Sequence, residues 1–433
     1  MSRGVHLHRA GLNRTLPGPE SLLELDIGSI AAGGAGVARG PDGRVVFVRH
    51  ALPGERVRAV VRQETTRFLR ADAVEILTPS PDRVDPPCPH AGPGRCGGCD
   101  WQHIALPAQR ALKADIVADQ VHRLAGLEVA VEVREVDGAP DGLGWRTRVQ
   151  FAVDPAGRVG FHHHRSGQLE LIEACPLAAP GVEAAGVEAL EWPGVARVEV
   201  ACSTDGDDRV VAVTSTRRHV KSLPDVNAGI IADGRPGRGP HGVRHRVGGR
   251  TFEVAAGRFW QIHPGAAEVL AGSVLAGLAP RPGDAVVDLY AGAGLFAALL
   301  GDAVGREGSV LAVEGDQRAA ADAARNTSDQ PQVKVRTAAV TAELVRSRVG
   351  RPDLVVLDPP RAGAGLAVTA ALAALAPRRL AYVACDPAAF ARDLKVLLDA
   401  GWTLASLEAF DLFPMTAHVE LVAILLPPIA VMA

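Results

Sequence analysis

The sequence lacks a strong net charge and has few aromatic residues. Its 46 Lys and Arg residues nearly balance 49 Asp and Glu residues, so the formal net charge is −3. This balance excludes a protein-wide cationic field, and any surface that binds nucleic acid must be local. Aromatic residues make up only 4% of the chain, so base stacking depends on few rings. Since 47% of the residues are hydrophobic, a largely disordered chain is also excluded.

Long apolar segments are also missing. The N-terminal residues contain no apolar stretch of the kind found in secretory signals. No run reaches the roughly 20 apolar residues that a membrane-spanning helix needs. We therefore expect a cytoplasmic protein without a membrane partner. The sequence does not determine the oligomeric state, for which a monomer is the default expectation. Six cysteines in 433 residues do not form a disulfide scaffold, and their spacing calls for another explanation.

Changes in residue pattern predict a flexible leader followed by three domains. Residues 1–21 carry Gly, Pro and basic residues without periodicity and form the leader. Residues 22–80 contain short alternating runs between Gly, Pro and Asp turns, which predict a small antiparallel β-barrel of the OB type. Residues 81–250 form a central α+β domain that holds most of the cysteines, with helical spacing over 106–125. Within it, the Gly- and Pro-rich stretch 232–242 is expected to be a loop that leads to the last domain.

Residues 251–433 have a different texture. Apolar strands alternate with Ala- and Leu-rich helical segments, which predicts a Rossmann-like, doubly wound α/β domain with its ligand at the carboxyl ends of the strands. A Gly loop follows the first of these strands, but Ala297 replaces the third Gly of a dinucleotide fingerprint. Asp288 before the loop fits a class I methyltransferase better than an NAD enzyme. Glu314 ends the next strand, where a carboxylate can accept both ribose hydroxyls of S-adenosylmethionine.

Two further strand ends carry chemistry. Asp358-Pro359-Pro360-Arg361 follows an apolar strand and predicts a rigid, exposed corner. Enzymes that methylate exocyclic amines usually place an aromatic residue where Arg361 stands, so this chemistry is disfavoured. Cys385 follows another strand and precedes a helix that begins at Pro387. A lone cysteine there is more often a small core residue, but a helix N-terminus lowers a thiol pKa and predicts a reactive nucleophile.

A separate group of cysteines predicts a metal centre. Cys88, Cys96 and Cys99 lie close together in the sequence, and Cys175 is a distant fourth candidate. Four thiolates can hold either Zn²⁺ or an iron–sulfur cluster, and the spacing alone does not decide between them. A zinc ribbon usually has two C-x2-C pairs, whereas this chain has one.

The motifs DLYAGAG, DPPRAGAG, YVACDP and HVELV, in this order, resemble the RNA 5-methyluridine (uracil-C5) methyltransferase family of the ribosomal-RNA type. The similarity extends from about residue 22 to 426, and the N-terminal barrel resembles a TRAM domain. The resemblance implies that Cys385 is the nucleophile and Glu420 the general base. It implies S-adenosylmethionine contacts at the following residues: Gln261, Tyr290, Glu314 and Asp358. It also implies that Cys88, Cys96, Cys99 and Cys175 hold a [4Fe–4S] cluster rather than zinc.

The chain departs from the family pattern at several positions. Residues after Gln261 are Ile262 and His263, Asp386 follows the nucleophile, and Leu295 follows the Gly loop. The polar residue that the family has after the fourth strand corresponds to Ala338 or Ala339. These differences concern secondary cofactor contacts and not the nucleophile.

The resemblance implies methylation of uridine carbon 5 in structured RNA, with 23S rRNA as the expected substrate. A barrel and a cluster are features of the ribosomal-RNA members, so ribosomal RNA is preferred. A transfer-RNA substrate is the alternative. Cytosine carbon-5 methylation is disfavoured because the P-C-Q context of the DNA enzymes is absent. A noncatalytic RNA-binding or folding factor that retains the methyltransferase fold is a further alternative. A redox sensor built on the cysteine cluster is another.

Overall fold

The computed structural model describes residues 22–216 and 222–428. The predicted leader, residues 1–21, lies outside the described residues. The chain divides into two compact units, Met1–Asp85 and Pro86–Ala433. Within residues 22–216 and 222–428, none of the helices combines the length and hydrophobicity of a membrane span.

The first unit is a six-stranded sheet in the order β1-β5-β6-β4-β3-β2. Its strands are β1 (Leu22–Asp26), β2 (Ser29–Ile30), β3 (Gly36–Arg39), β4 (Val45–Arg49), β5 (Arg56–Glu64) and β6 (Phe68–Thr78). Alternate residues of these strands, among them Val46, Val48 and Val57, form one apolar core. The pairs are antiparallel except β4 with β6, which run parallel.

The second unit begins with a helix and a seven-stranded sheet in the order β10-β9-β8-β11-β12-β13-β14. Its elements are α1 (Leu106–Ala125), β7 (Val133–Glu135), β8 (Arg148–Val153), β9 (Val159–His162), β10 (Leu169–Leu171), α2 (Pro180–Glu183), β11 (Val195–Cys202), β12 (Arg209–Ser215), β13 (Gly229–Ala232), β14 (Arg235–Pro236), β15 (Gly242–Val247) and β16 (Arg250–Ala255). Two single-turn 3₁₀ helices are Pro140–Gly142 and Val187–Ala189. Helix α1 has the predicted bounds, because Pro107 favours its first turn and Gly126, with φ 71°, ends it.

The stretch 232–242 is not a simple loop. Its residues Arg235–Pro236 form β14, which extends the seven-stranded sheet, and β15 begins at Gly242. Strands β15 and β16 form a two-stranded hairpin that carries the chain across residue 250. The boundary at 250/251 therefore remains a prediction.

The remaining elements form the α/β part of the second unit. They are α3 (Ala266–Leu278), β17 (Ala285–Leu289), α4 (Leu295–Val304), β18 (Ser309–Glu314), α5 (Gln317–Asn326), β19 (Val333–Thr337), α6 (Ala342–Arg348), β20 (Leu354–Leu357), α7 (Leu366–Leu375), β21 (Arg379–Ala384), α8 (Pro387–Asp399), β22 (Thr403–Asp411) and β23 (Glu420–Leu426). The sheet order is β19-β18-β17-β20-β21-β23-β22-β7. Strands β17 to β21 are parallel, and β23 runs antiparallel between β21 and β22.

Two apolar clusters cover the two faces of this sheet. One packs α3 and α4 against residues such as Val286 and Leu354, and the other packs α7, α8 and α1 against residues such as Val287 and Val355. Consecutive residues of β17 and β20 thus face opposite clusters, and both sides of the strands are buried. This explains why these strands are continuous apolar runs. Since β17 lies between β18 and β20, the direction of strand addition reverses there, and sheets of this kind bind their ligands in a crevice at the carboxyl ends of the strands.

Candidate active site

The crevice at the reversal point brings three predicted residues to one edge of the sheet. Tyr290 directly follows β17, Glu314 ends β18, and Asp358 directly follows β20. The backbone N–H of Asp358 donates to the carbonyl of Leu289 across 3.3 Å, which joins two of these strand ends. The structure therefore places Tyr290, Glu314 and Asp358 at neighbouring strand ends on one edge of the sheet.

The Gly loop is held against Glu314. The N–H of Gly292 donates to Glu314 Oε2 at 2.8 Å, and the N–H of Asp316 donates to Oε1 at 2.7 Å. Gly292 has a φ of 55° and Tyr290 a φ of 62°. A tyrosine in this left-handed region costs of order 1–3 kcal/mol, and such strain is typical of ligand-binding turns. Both Glu314 oxygens retain lone pairs that can accept further hydrogen bonds.

Cys385, which directly follows β21, lies opposite Glu420, the first residue of β23. Ala384 of β21 pairs with Leu421 of β23, so Cys385 and Glu420 occupy the next position of the same antiparallel register. Cys385 is partly buried, whereas Glu420 is only 3% exposed. The structure thus brings together the two residues that the sequence motifs placed 35 positions apart in the chain.

Burial dominates the electrostatics around this pair. It raises the pKa of Glu420 well above its usual range, and the nearby Asp358 carboxylate raises it further, while Arg361 opposes both. Burial also raises the pKa of Asp358 to about 7. Because two close carboxylates resist ionising together, one of them keeps a proton at neutral pH. A carboxylate with a raised pKa is a stronger base.

The sequence-based expectation of a lowered thiol pKa at Cys385 is wrong. Burial, together with the charges of Glu420 and Asp358, raises the pKa of Cys385 to about 11, although Arg361 lowers it. The first turn of α8 does not compensate, because the Asp386 side chain caps it and accepts from the N–H of Ala389 at 2.7 Å. Cys385 is therefore a thiol in the free protein at neutral pH.

This pKa predicts a steep pH dependence of thiol alkylation. The rate at which iodoacetamide modifies Cys385 in the folded protein should rise about tenfold per unit between about pH 7 and 10, since only the thiolate reacts. Peptide mass spectrometry after timed quenching measures it. The urea-unfolded protein is the control, and its rate should level off at lower pH. A plateau near pH 8 in the folded protein would contradict the assigned environment.

The sequence analysis did not single out His418, which lies beside Arg361. Arg361 is exposed, and its Nη2 lies 3.4 Å from His418 Nε2. The positive charge of Arg361 also acts on the site, because it lowers the pKa of both Cys385 and Glu420. The only signal in the sequence is the position of His418 two residues before Glu420, in the HVELV motif.

A buried network fixes the backbone around Arg361. Asp393 Oδ2 accepts from the N–H of Ala364 at 2.8 Å, from the N–H of Gly365 at 3.2 Å and from the hydroxyl of Tyr382 at 2.6 Å. Gly363 has a φ of 83°, and a Cβ there would lie 2.7 Å from Asp393 Oδ2. Only glycine fits this close approach. Asp393, a residue of α8, therefore holds the DPPRAGAG loop in place. Pro359, Pro360 and Arg361 then line a small cleft together with Cys385.

Gln261 lies in a different environment from the other predicted cofactor residues. Within the described part of the chain its side chain has no hydrogen bond, and it lines another cleft with Trp260 and His245. His263, two residues further along the chain, is 2% exposed, and burial lowers its pKa to about 4. A contact between Gln261 and the crevice of Glu314 therefore remains a prediction.

The four predicted cysteine ligands are free thiols in the second unit. Burial raises the pKa of Cys96, and the charges of Cys175 and Cys88 add to this effect, so these thiols lie near one another. Burial likewise raises the pKa of Cys99 to about 12, against the positive charge of Arg146. Among residues 22–216 and 222–428, however, no three His, Cys, Asp or Glu side chains are grouped so as to hold a metal ion. The described residues therefore do not show a metal centre.

Comparisons with known proteins assign the chain to a family. Residues 21–74 match the TRAM domain, and residues 278–427 match the tRNA (uracil-5-)-methyltransferase family. An uncharacterized RNA methyltransferase, SCO5901, of Streptomyces coelicolor is 49% identical over 93% of this chain and 92% of its own. The 23S rRNA (uracil(1939)-C(5))-methyltransferase RlmD of Halomonas elongata is 34% identical over 95% of this chain and 91% of its own.

The chain belongs to the RNA (uracil-C5)-methyltransferase family. The fold agrees with that of the Pyrococcus abyssi tRNA (uracil-54, C5)-methyltransferase, solved in complex with S-adenosyl-L-homocysteine. The TM-score is 0.71 at 22% identity, covering 93% of this chain and all of that one. The predicted family and the predicted fold class, a class I methyltransferase domain preceded by an N-terminal TRAM-type barrel, are thereby confirmed.

Proposed function

We propose that this family member transfers a methyl group from S-adenosylmethionine to carbon 5 of a uridine in 23S rRNA. The observation that carries the proposal is the register of Cys385 with Glu420, which sets a thiol beside a buried carboxyl group. The relative of Halomonas elongata, whose name gives 23S rRNA as its substrate, supports the choice of RNA. Ribosomal RNA as the substrate also favours the cytoplasm as the place of action.

The crevice around Glu314 suits the methyl donor. Glu314 is free to accept the two ribose hydroxyls while the Gly292 N–H holds its carboxylate in place. Tyr290 and Asp358 lie at the neighbouring strand ends, and Gln261 is proposed as a fourth contact. When bound there, the donor supplies an electrophilic methyl group on its sulfonium.

Cys385 makes carbon 5 reactive. Carbon 5 of uracil is a weak nucleophile, so Cys385 adds through its sulfur to carbon 6, and the electrons of the 5,6 double bond move into an enolate. The thiol proton is lost to a neighbouring base, and Asp358, with a pKa of about 7, is the carboxyl group suited to take it. The charge of Arg361 favours the thiolate. Carbon 5 of the enolate then accepts the methyl group.

Glu420 completes the reaction. Once Asp358 holds the thiol proton, its charge no longer raises the pKa of Glu420, Arg361 favours ionisation, and the proton of Glu420 passes to solvent. The Glu420 carboxylate then removes the proton from carbon 5, the electrons of that C–H bond re-form the 5,6 double bond, and the C6–S bond breaks to release Cys385, whose thiolate recovers its proton from Asp358. The target uridine has to leave its stack to reach this crevice.

The first unit offers a candidate RNA-binding surface. Arg70 lies over the rings of Phe47 and Phe68, 5.5 and 5.3 Å from their centroids, which supports a local RNA-binding surface on that unit.

The substrate is tested by incubating the purified protein with isotopically labelled S-adenosylmethionine and separate 23S rRNA and tRNA transcripts. Nucleoside mass spectrometry should find labelled 5-methyluridine in the 23S rRNA. Label in tRNA alone would favour the alternative substrate. Label in 5-methylcytidine would overturn the uridine assignment, and unlabelled RNA throughout would favour a noncatalytic RNA-binding factor.

We further propose that Cys88, Cys96, Cys99 and Cys175 hold a [4Fe–4S] cluster. The donor set suits it, because four free thiols come from two separate segments of the chain and Arg146 can balance thiolate charge. Two hydrogen bonds brace this region: the Cys88 N–H donates to Gln102 Oε1 at 3.0 Å, and Arg146 Nη2 donates to the Gly98 carbonyl at 2.9 Å. The cluster would support the fold or the placement of RNA.

Metal analysis decides this point. Anaerobically purified protein should contain about four iron and four sulfide per chain and absorb broadly near 400 nm if the cluster is present. Cys96→Ser should lose most of the iron, whereas Cys202→Ser, at a cysteine outside the group, should retain it. Stoichiometric zinc without sulfide, or neither metal, would contradict the iron–sulfur assignment.

A further inference from the structure

Two polar side chains of α1 are completely buried, and the proposed mechanism does not use them. Gln109 and Lys113 are both 0% exposed and lie one helical turn apart, on the same side of the helix. Burying a lysine is costly unless its ammonium group is fully paired. Both side chains bond to residues 411–415, which comprise the last residue of β22 and the start of the segment that leads to Glu420.

Lys113 holds the beginning of this segment. Its Nζ donates to Asp411 Oδ1 at 2.5 Å and to the carbonyl of Phe413 at 3.0 Å. The same carbonyl accepts from Thr416 Oγ1 at 2.8 Å and from the Thr416 N–H at 3.2 Å. Thr416 Oγ1 in turn accepts from the N–H of His418 at 3.3 Å. A continuous set of hydrogen bonds therefore leads from Lys113 to a point two residues before Glu420.

Gln109 holds the middle of the segment. Its Oε1 accepts from the N–H of Met415 at 2.8 Å, and its Nε2 donates to the carbonyls of Trp101 and Ile104 at 3.1 and 2.8 Å. The N–H of Trp101, two residues after Cys99, donates to the carbonyl of Met415 at 3.0 Å. Met415 has a φ of 65°, which a methionine adopts only when its surroundings fix it.

We infer that Lys113 and Gln109 are positioning residues for Glu420, acting through the turn at residues 413–416. This inference rests on the proposed function, in which Glu420 acts only in the last step. Addition of Cys385 and methyl transfer do not require Glu420, whereas removal of the carbon-5 proton does. Displacing the turn should therefore slow release of the methylated RNA and leave formation of the covalent adduct unchanged.

The test separates these two half-reactions. In the variant K113M/D411L both charges are replaced by apolar side chains, so neither is left unpaired and folding is favoured. Adduct formation is followed by denaturing electrophoresis of full-length protein with labelled RNA, and release by a chase after mixing. We expect release to slow about 10–100-fold, as misplacement of a catalytic group by about 1 Å does, while the methylated adduct accumulates.

A second variant protects the test against misfolding. Thr416→Val removes the hydroxyl that links the Phe413 carbonyl to His418 and leaves the buried ion pair intact, and it should also accumulate adduct. Arg378→Met is the control, because it removes another ion pair of the same α/β sheet, 2.5 Å from Asp284, and should release product normally. The inference is overturned if both variants release product at the wild-type rate, or if adduct formation and release fall in parallel. Wild-type protein that forms no adduct would instead overturn the proposed function.

Discussion

Cys385→Ala should abolish methylation, with turnover lower by on the order of 10⁴-fold or more, as is found when a covalent nucleophile is removed. Without the sulfur, carbon 6 has no nucleophile, and carbon 5 cannot reach the enolate that accepts the methyl group. RNA containing 5-fluorouridine makes the effect visible. Its carbon 5 carries fluorine in place of the proton, so wild-type protein should stay covalently attached after methyl transfer, and C385A should form no adduct.

Two measurements keep this result from being read as a folding defect. Cys385 lies at a strand end in a small cleft and is only partly buried, so its replacement by alanine removes little core packing. The variant should retain the RNA affinity and the thermal unfolding midpoint of the wild type. A C385A protein that still methylates RNA, or an adduct that maps to a different cysteine, would contradict the mechanism.

The sequence predicts those parts of the molecule that depend on local pattern. Helix α1 has its predicted bounds because its apolar spacing, its Pro107 and the following Gly126 all lie within one short segment. The crevice residues Glu314 and Asp358 are predictable because each is the polar residue that closes an apolar strand, and parallel strands align those ends.

Other features depend on packing between distant segments. The pairing of Lys113 with Asp411 joins residues 298 positions apart, and nothing near Lys113 in the sequence distinguishes it from a surface lysine. The pKa of Cys385 shows the same limit. Helix position alone predicts a lowered value, but burial and the facing carboxyl groups, which only the fold brings together, raise it to about 11. Short-range pattern therefore gives the elements and the motifs, whereas the charge state follows from the assembled site.

Glu420→Gln should separate methyl transfer from product release. Glutamine keeps the size of the side chain and can accept a hydrogen bond, but it cannot take up the carbon-5 proton at neutral pH. Turnover should fall about 10²–10⁴-fold, the range for loss of a general base. Because the earlier steps do not need this base, one methyl group per protein should still be transferred, and the methylated RNA should remain attached to Cys385 on ordinary, non-fluorinated substrate.

The adduct distinguishes this variant from one that is merely damaged. Glu420 is 3% exposed and its pKa is raised well above the usual range, so glutamine removes a costly buried acid and should not destabilise the fold. Glu408→Gln, on the neighbouring strand β22 but half-exposed, is the matched control and should turn over normally. If E420Q transferred no methyl group in a single turnover, Glu420 would be needed before elimination, and Asp358 would become the candidate for the final base. If E420Q released product at the wild-type rate, Glu420 would not be the general base, although it lies beside Cys385.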